Sequence, residues 1–408
     1  MLVSEKFTHL YSGMYGNILF RRFVFGQSLS MIGDAVCLAS LPLALLSAGF
    51  DATTFGVVMA SVGFGTLIGA VVGGRWTEKM SARAILITTD LIRGLCQFIA
   101  AAVIAGFADW WWLILIYSWF GVGVGASRPA SHLMLVNLMP RSELIKANSA
   151  LAFLDNLIAV IVPATVGVAV ILTDAVWGVL IDGITFLGAA FFTARIPGSS
   201  VPPNISVGEA SVTRFRGMSA ILRIPQLNLG MQATLVINVL CFPVFLVIAP
   251  YAVAETFGEY IWGLCLAASG LGACLGAVAA VAMSLHNRLQ RLCIAVTVLL
   301  PLSMYMIAKS PAVEIIIIGS GLVGLVEGTW LTVWATTLQL HSPTKELGRV
   351  VGTETFLTSG LHPFVYLGGG FLAVSIGYAS ALVVVAILSF LLLSILVVGK
   401  CLGKRRVV

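Results

Sequence analysis

Apolar residues in this chain come in long unbroken runs rather than in stripes. Stretches with few charges occupy residues 23–48, 53–74, 84–106, 111–134, 148–172 and 175–194, and then 227–252, 260–283, 291–308, 312–335, 350–373 and 377–399. Each is close to the roughly 20 residues a helix needs to cross a bilayer. Strands of a membrane barrel would instead give runs of about ten residues with alternating polarity. In hydrocarbon only a helix satisfies its own backbone within one segment. The pattern therefore predicts an all-α membrane protein with twelve transmembrane helices.

Composition supports that reading and removes a soluble alternative. The chain is 59% hydrophobic and 10% charged, against roughly a quarter charged in soluble domains. The first 22 residues are mixed polar and aromatic and end in Arg21-Arg22, with no small-residue cleavage site, so the first span is expected to be retained. The seven cysteines show no CxxC spacing, so neither a disulfide framework, a metal cluster nor another cofactor is expected.

A formal net charge of +6 invites a nucleic-acid reading, but the positions of the charges decide otherwise. Of the 23 Lys and Arg residues, all but three fall in the N-terminal segment, the even-numbered loops, the central loop or the C-terminal tail. The exceptions are Lys309, in an opposite loop, and Arg93 and Arg128, inside spans. By the positive-inside rule both termini lie in the cytoplasm, as an even number of spans requires. The partner implied is a lipid bilayer, with no nucleic acid.

The chain repeats itself at half its length. Pro140-Arg-Ser-Glu143-Leu144-Ile-Lys146 precedes the fifth span and Pro343-Thr-Lys-Glu346-Leu347-Gly-Arg349 the eleventh, every position displaced by 203. Gly65-Thr-Leu-Ile-Gly69-Ala-Val in span two matches Gly272-Ala-Cys-Leu-Gly276-Ala-Val in span eight, displaced by 207. Both are GxxxG elements, which admit close helix approach. Six spans per half place the halves in parallel orientation, as in a large class of transporters. The organisation expected is a cytoplasmic segment 1–22, a six-helix bundle 23–194, a linker 195–226, a second bundle 227–399 and a basic tail 400–408. In the linker Val212, Phe215, Met218, Ile221 and Leu222 form a helical stripe beside Arg214, Arg216 and Arg223, which suits the inner membrane surface.

Ionisable residues within spans are costly and are functional candidates by default. They are Asp34, Asp90, Arg93, Arg128, Asp155, Asp182, Glu327 and Glu354, with His362 as the histidine deep in a span. Asp34 and Glu327 fall near the midplane. Asp90, Asp155 and Glu354 lie about two turns from the cytoplasmic ends, where pairing with nearby bases or caps is expected. Asp90 and Arg93, three apart, share a helix face and are expected to pair.

The loop between spans two and three reads Gly74-Arg75-Trp76-Thr77-Glu78-Lys79-Met80-Ser81-Ala82-Arg83. It resembles the Gly-x-Leu-Ala-Asp-Arg-x-Gly-Arg-Lys/Arg signature of the major facilitator superfamily, with Glu78 for Asp, Ser81 for Gly and Ala82 for Arg. The likeness covers the whole chain and implies a conformational latch at Gly74, Glu78, Lys79 and Arg83, with Glu78 facing the N-terminal end of span eleven, where the helix dipole favours a carboxylate. Gly33-Asp34, Asp90-Leu-Ile-Arg93, Lys146-Ala147-Asn148 and Asp182-Gly-Ile-Thr-Phe-Leu resemble the bacterial macrolide-type drug and siderophore exporter branch. The antiporter element Gly-Pro-x-x-Gly-Gly is only partly kept, as Val162-Pro163-Ala-Thr-Val166-Gly167.

By that resemblance spans one, four, seven and ten line a central cavity, which places Asp34, Arg128, Asn238 and Glu327 on its walls. Trp330 and Trp334 give the tenth span an apolar face that suits an amphipathic cargo. The expectation is a monomeric secondary transporter in a bacterial cytoplasmic membrane, exporting an amphipathic small molecule by proton antiport and alternating access, with Asp34 or Glu327 carrying the proton. A lysophospholipid carrier, which shares the Gly-Asp and Lys-Ala-Asn elements, a siderophore transporter and a non-transporting sensor remain open. No Walker lysine motif, HExxH or GxSxG is present, so neither ATP-driven transport nor an enzyme is expected.

Overall fold

The computed structural model describes residues 17–140, 174–197, 214–282, 289–343 and 347–404, together with short stretches between 143 and 166. In the first half α1 spans Ile18–Ser47, α2 Ala52–Lys79, α3 Ala82–Ala102, α4 Trp112–Leu138 and α5 Val176–Ala194. In the second half α6 spans Arg214–Arg223, α7 Pro225–Thr234, α8 Phe242–Phe257, α9 Glu259–Ala282, α10 Leu289–Lys309, α11 Val313–His341, α12 Leu347–Ile376 and α13 Tyr378–Lys404. Among the described residues nine helices are long and apolar enough to cross a membrane. The fifth predicted span and Pro163 within it lie largely outside the described residues.

Large apolar side chains are exposed on most of these helices, among them Ile68, Leu95, Trp119, Ile184, Leu275 and Phe371. On a protein in water so much exposed apolar surface would drive aggregation. Facing acyl chains, it costs nothing.

The chain divides into two compact units, Met1–Leu41 with Phe64–Ala159 and Val176–Ile205, and Pro42–Gly63 with Val160–Ala175 and Ser206–Val408. α1 and α2 thus contribute to both. In the first unit α3 packs on α4 and α5. Phe20, Phe23, Ile85, Leu86 and Met134 gather at one end as a dry cluster. Arg22 and Arg83 both donate to the end of α5, to the Arg195 carbonyl at 2.7 Å and the Ala194 carbonyl at 2.5 Å, where the helix leaves carbonyls unpaired and partly negative.

In the second unit α11 packs on α9 and α10, and α10 on α13. The first turns of α2 belong here, with the Thr53 hydroxyl donating to the Gly370 carbonyl of α12 at 3.3 Å. Within the predicted linker, α6 buries Ala220 and Ile221 and exposes Leu222.

The half-length repeat is a repeat of packing. A side chain added at Gly65, Gly69 or Gly125 would overlap the carbonyl of Ser118, Val122 or Thr66, where α2 crosses α4. At Gly272, Gly276 and Gly328 it would overlap the carbonyl of Gly321, Leu325 or Ala273, where α9 crosses α11. Each contact in the second set is the first set's contact shifted by the same two displacements seen in the sequence. Glycine is required at these crossings because the neighbouring backbone occupies the space of a β-carbon.

Among the described residues helix geometry breaks in two places. Between α7 and α8 residues Leu235–Cys241 form a π turn, just before Pro243, which has no N–H for the carbonyl four residues back. A second π turn, Val103–Phe107, ends α3. Pro42, Pro129, Pro250, Pro301 and Pro363 sit inside otherwise continuous helices.

Candidate functional site

The interior of the first unit holds a polar centre drawn from four helices. On α3, Asp90, Arg93 and Gln97 share one face through spacings of three and four. Ser30, Asp34 and Cys37 do the same on α1, while α4 supplies Tyr117 and Phe120, and α5 supplies Asp182 and Phe186.

Arg93 is the hub. Its Nη2 donates to both carboxylate oxygens of Asp34, at 2.6 and 2.7 Å, and its Nη1 to Ser30 Oγ at 3.3 Å. Asp90 Oδ1 stands 3.9 Å from Nη1, so the pair expected from spacing alone is the looser of two. The guanidinium lies over the Phe186 ring at 3.9 Å and near that of Phe120 at 5.0 Å. Aromatic faces favour a cation stripped of water.

A second network adjoins the first. Tyr117 donates to Gln97 Oε1 at 3.1 Å, and Gln97 Nε2 donates to the Asp182 carboxylate and reaches Cys37 Sγ at 3.2 Å. Asp182 is fully buried and also interacts electrostatically with Arg93. Gly33 makes this possible, because a side chain there would collide with Asp182 and Thr185.

One guanidinium thus pairs with two carboxyl groups, and a third buried carboxyl, Asp182, sits in the adjoining network through Gln97. Asp90 Oδ2 and Asp182 Oδ1 have no hydrogen-bond partner among the described residues. Exposure distinguishes the members: the Arg93 side chain is 5% exposed and that of Asp34 43%. Asp34 is therefore the accessible member, while Arg93 anchors it from behind.

The other sequence candidates are distributed. In the second unit Glu327, partly buried on α11, makes no hydrogen bond or ion pair among the described residues. Asn238 and His362 come together: His362 Nε2 lies 3.1 Å from the Asn238 carbonyl, inside the π turn that frees such groups. Trp330 is fully buried and donates to Thr234 Oγ1 at 3.2 Å, and Trp334, 4% exposed, packs on Gly230. Both rings, expected on an open cavity wall, fill packing space in this structure. Glu354 is partly buried on α12, next to Thr355. Arg128 and Asp155 are exposed.

At the signature loop, Lys79 is exposed and the surroundings of Gly74 are open. The Glu78 side chain lies outside what is described, so its expected contact with the eleventh span does too. Arg83 is occupied within its own unit, at the end of α5.

Gln97, Tyr117, Cys37 and Ser30 do not stand out in the sequence as site residues. A signal exists for Gln97, since Asp90, Arg93 and Gln97 make a polar stripe at helical spacing along an apolar span. Tyr117 and Cys37 carry no such mark.

Two packing-equivalent halves of membrane-crossing helices, the first with a buried charged centre, define a multi-pass membrane transporter. The chain belongs to the Major Facilitator Superfamily, whose family profile matches residues 23–361. No curated protein matches the sequence significantly. Among solved structures it is similar to the nucleoside transporter NupG, with a TM-score of 0.68 and 13% identity over 93% of this chain and 98% of that one. It is also similar to a bacterial homologue of the human lysosomal transporter Spinster, with a TM-score of 0.65 and 14% identity over 95% and 96%. A third is a bacterial homologue of the iron transporter ferroportin, with a TM-score of 0.62 and 15% identity over 93% and 98%. At these identities the likeness shows the fold.

Proposed function

We propose that this protein is a secondary active exporter of an amphipathic small molecule, driven by exchange for protons at the Asp34–Arg93 centre. The observation that carries the reading is one buried guanidinium, Arg93, paired with the accessible Asp34 and the buried Asp90, with a third carboxyl, Asp182, buried in the adjoining network. In a site shielded from water uncompensated charge is expensive, so charge balance calls for bound protons. Protonation of Asp34 weakens its hold on Arg93, which then turns toward Asp90 and Asp182. Deprotonation restores the pair. Two arrangements of one cation among fixed acids make a two-state element that a proton gradient biases.

The basic loops support an orientation with both termini in the cytoplasm of a bacterium, with the proton entering from outside as cargo leaves. The likeness of Gly33-Asp34 and Asp90-Leu-Ile-Arg93 to drug and siderophore exporters supports the direction. The protein works by alternating access as a monomer, and a lysophospholipid is the competing cargo class.

The test is transport in proteoliposomes with an imposed pH gradient, with an amphipathic drug and a lysophospholipid each offered as cargo. Gradient-driven accumulation should occur with the drug and be lost in Asp34→Asn, while exchange of labelled for unlabelled cargo continues. Gradient-driven transport by Asp34→Asn at the wild-type rate removes Asp34 from the coupling step.

A further inference from the structure

We propose that a crevice in the second unit, at the ends of α1, α8, α9 and α13, is a second binding site that takes a monovalent organic cation with an apolar body. The crevice encloses about 710 Å³, inside the roughly 300–1,000 Å³ range of sites for drug-sized ligands. All its lining residues belong to the second unit, whereas the Asp34–Arg93 centre belongs to the first.

Its chemistry is one-sided. Asp51 and Glu255 contribute two carboxylates, and Tyr251, Tyr260 and Tyr378 three phenol rings, while no Lys, Arg or His lines it among the described residues. The Tyr251 and Tyr378 rings stand 5.6 Å apart, inclined at 35°. Phe50 and Leu46 supply the apolar part of the wall. Aromatic faces attract weakly hydrated cations, and carboxylates close by add a longer-range pull.

Two local features show a prepared site. Tyr251 lines the crevice at 1% exposure, and its buried hydroxyl has no hydrogen-bond partner among the described residues. Leaving a buried hydroxyl unpaired is costly, and a ligand atom in the crevice would satisfy it. Asp51 is held in place by capping α2, its Oδ1 accepting from the Thr54 amide at 2.8 Å and hydroxyl at 2.9 Å. Its second oxygen remains for a ligand. The corners that bring these groups together are Gly49 and Gly258, with φ of 84° and 89°, a positive-φ backbone that other residues adopt only with strain.

The ligand is an organic cation rather than a metal ion. Three of the five polar groups are phenols, and among the described residues no cluster of three His, Cys, Asp or Glu could hold a metal. The site rests on the exporter reading only for its place in the cycle, since these helix ends lie opposite the basic loops, where cargo departs.

The experiment is equilibrium binding of tritiated tetraphenylphosphonium to the full-length protein in nanodiscs, with tetraphenylborate as an anion of the same size. Tetraphenylphosphonium should bind, tetraphenylborate should not compete, and Asp51→Asn/Glu255→Gln should weaken binding about tenfold. Asn keeps the cap on α2, and a thermal unfolding midpoint within a few degrees of wild type establishes the fold. Glu255→Gln alone, at an exposed position where folding is not at stake, should weaken binding severalfold. Wild-type affinity in either variant overturns the site even if gradient-driven transport persists. Weakened binding together with failure of that transport leaves the site standing and removes the exporter reading.

Discussion

Arg93 on α3 grips both carboxylate oxygens of Asp34 on α1, at 2.6 and 2.7 Å, while Asp90 on its own helix stands off at 3.9 Å. The closer partner is the one across the helix boundary. That geometry makes Arg93 the shared counter-ion of acids on two helices, so its removal should be felt more than the removal of either acid. Arg93→Leu leaves buried carboxyl groups without a cation and should cost about 3–5 kcal/mol. Asp34→Asn keeps the shape and leaves Arg93 with Asp90, and should cost less than about 2 kcal/mol. Thermal unfolding in detergent measures both, and equal losses would contradict the hub.

Gln97 ties Tyr117, Cys37 and Asp182 together. Gln97→Leu leaves the Tyr117 hydroxyl and Asp182 without this partner and should destabilise by about 1–3 kcal/mol. Combined with Tyr117→Phe the loss should be clearly less than additive, because both changes break the same bond. Additive losses in the double-mutant cycle would show the bond to be energetically idle.

The two glycine crossings make a paired prediction. Gly125→Val and Gly328→Val each drive a side chain into the facing backbone, and each should cost about 3 kcal/mol or show as loss of folded protein on size exclusion. Gly352→Ala, on a helix with nothing within 4 Å of the added carbon, should instead raise stability by up to about 1 kcal/mol. A tolerated valine at one crossing and not its counterpart would break the equivalence of the halves.

His362 supports the π turn through the Asn238 carbonyl. His362→Ala should cost about 1 kcal/mol and should speed amide hydrogen exchange at 235–241 above that of neighbouring α8 residues. His362→Gln, which keeps a donor, should restore part of the protection. Unchanged exchange in His362→Ala would mean that the turn holds without this support.

Topology is open to direct labelling. In a cysteine-free background, Lys309→Cys should react with a membrane-impermeant maleimide on intact cells, and Lys79→Cys only after lysis. The reverse pattern would invert the orientation and with it the direction of proton entry.

The span pattern, the charge asymmetry and the half-length repeat are all legible in the chain. The repeat carries further than the words of the motif: Gly65, Gly69, Gly272 and Gly276, visible as a spacing, sit at equivalent backbone contacts. Asp34 stands out as a charge near the midplane of a span. The tighter partner of Arg93 is not legible, because spacing along one helix shows Asp90 and is blind to another helix. Trp330 and Trp334 read as cavity wall for a similar reason, since apolarity alone does not say whether a ring meets cargo or packs on Thr234 and Gly230.

What the sequence by itself determined is everything that depends on solvent and period: a bilayer protein of twelve spans, repeated once, with the family legible separately, as a resemblance in the loop Gly74 to Arg83. Hydropathy is summed locally along the chain, so no knowledge of neighbours is needed to read it. Only the tertiary structure decided which charges meet. Whether Asp34 and Asp90 share one guanidinium while Asp182 joins the neighbouring network through Gln97 depends on the rotation of three helices about their axes and on their closeness, and that closeness turns on Gly33 leaving room for Asp182.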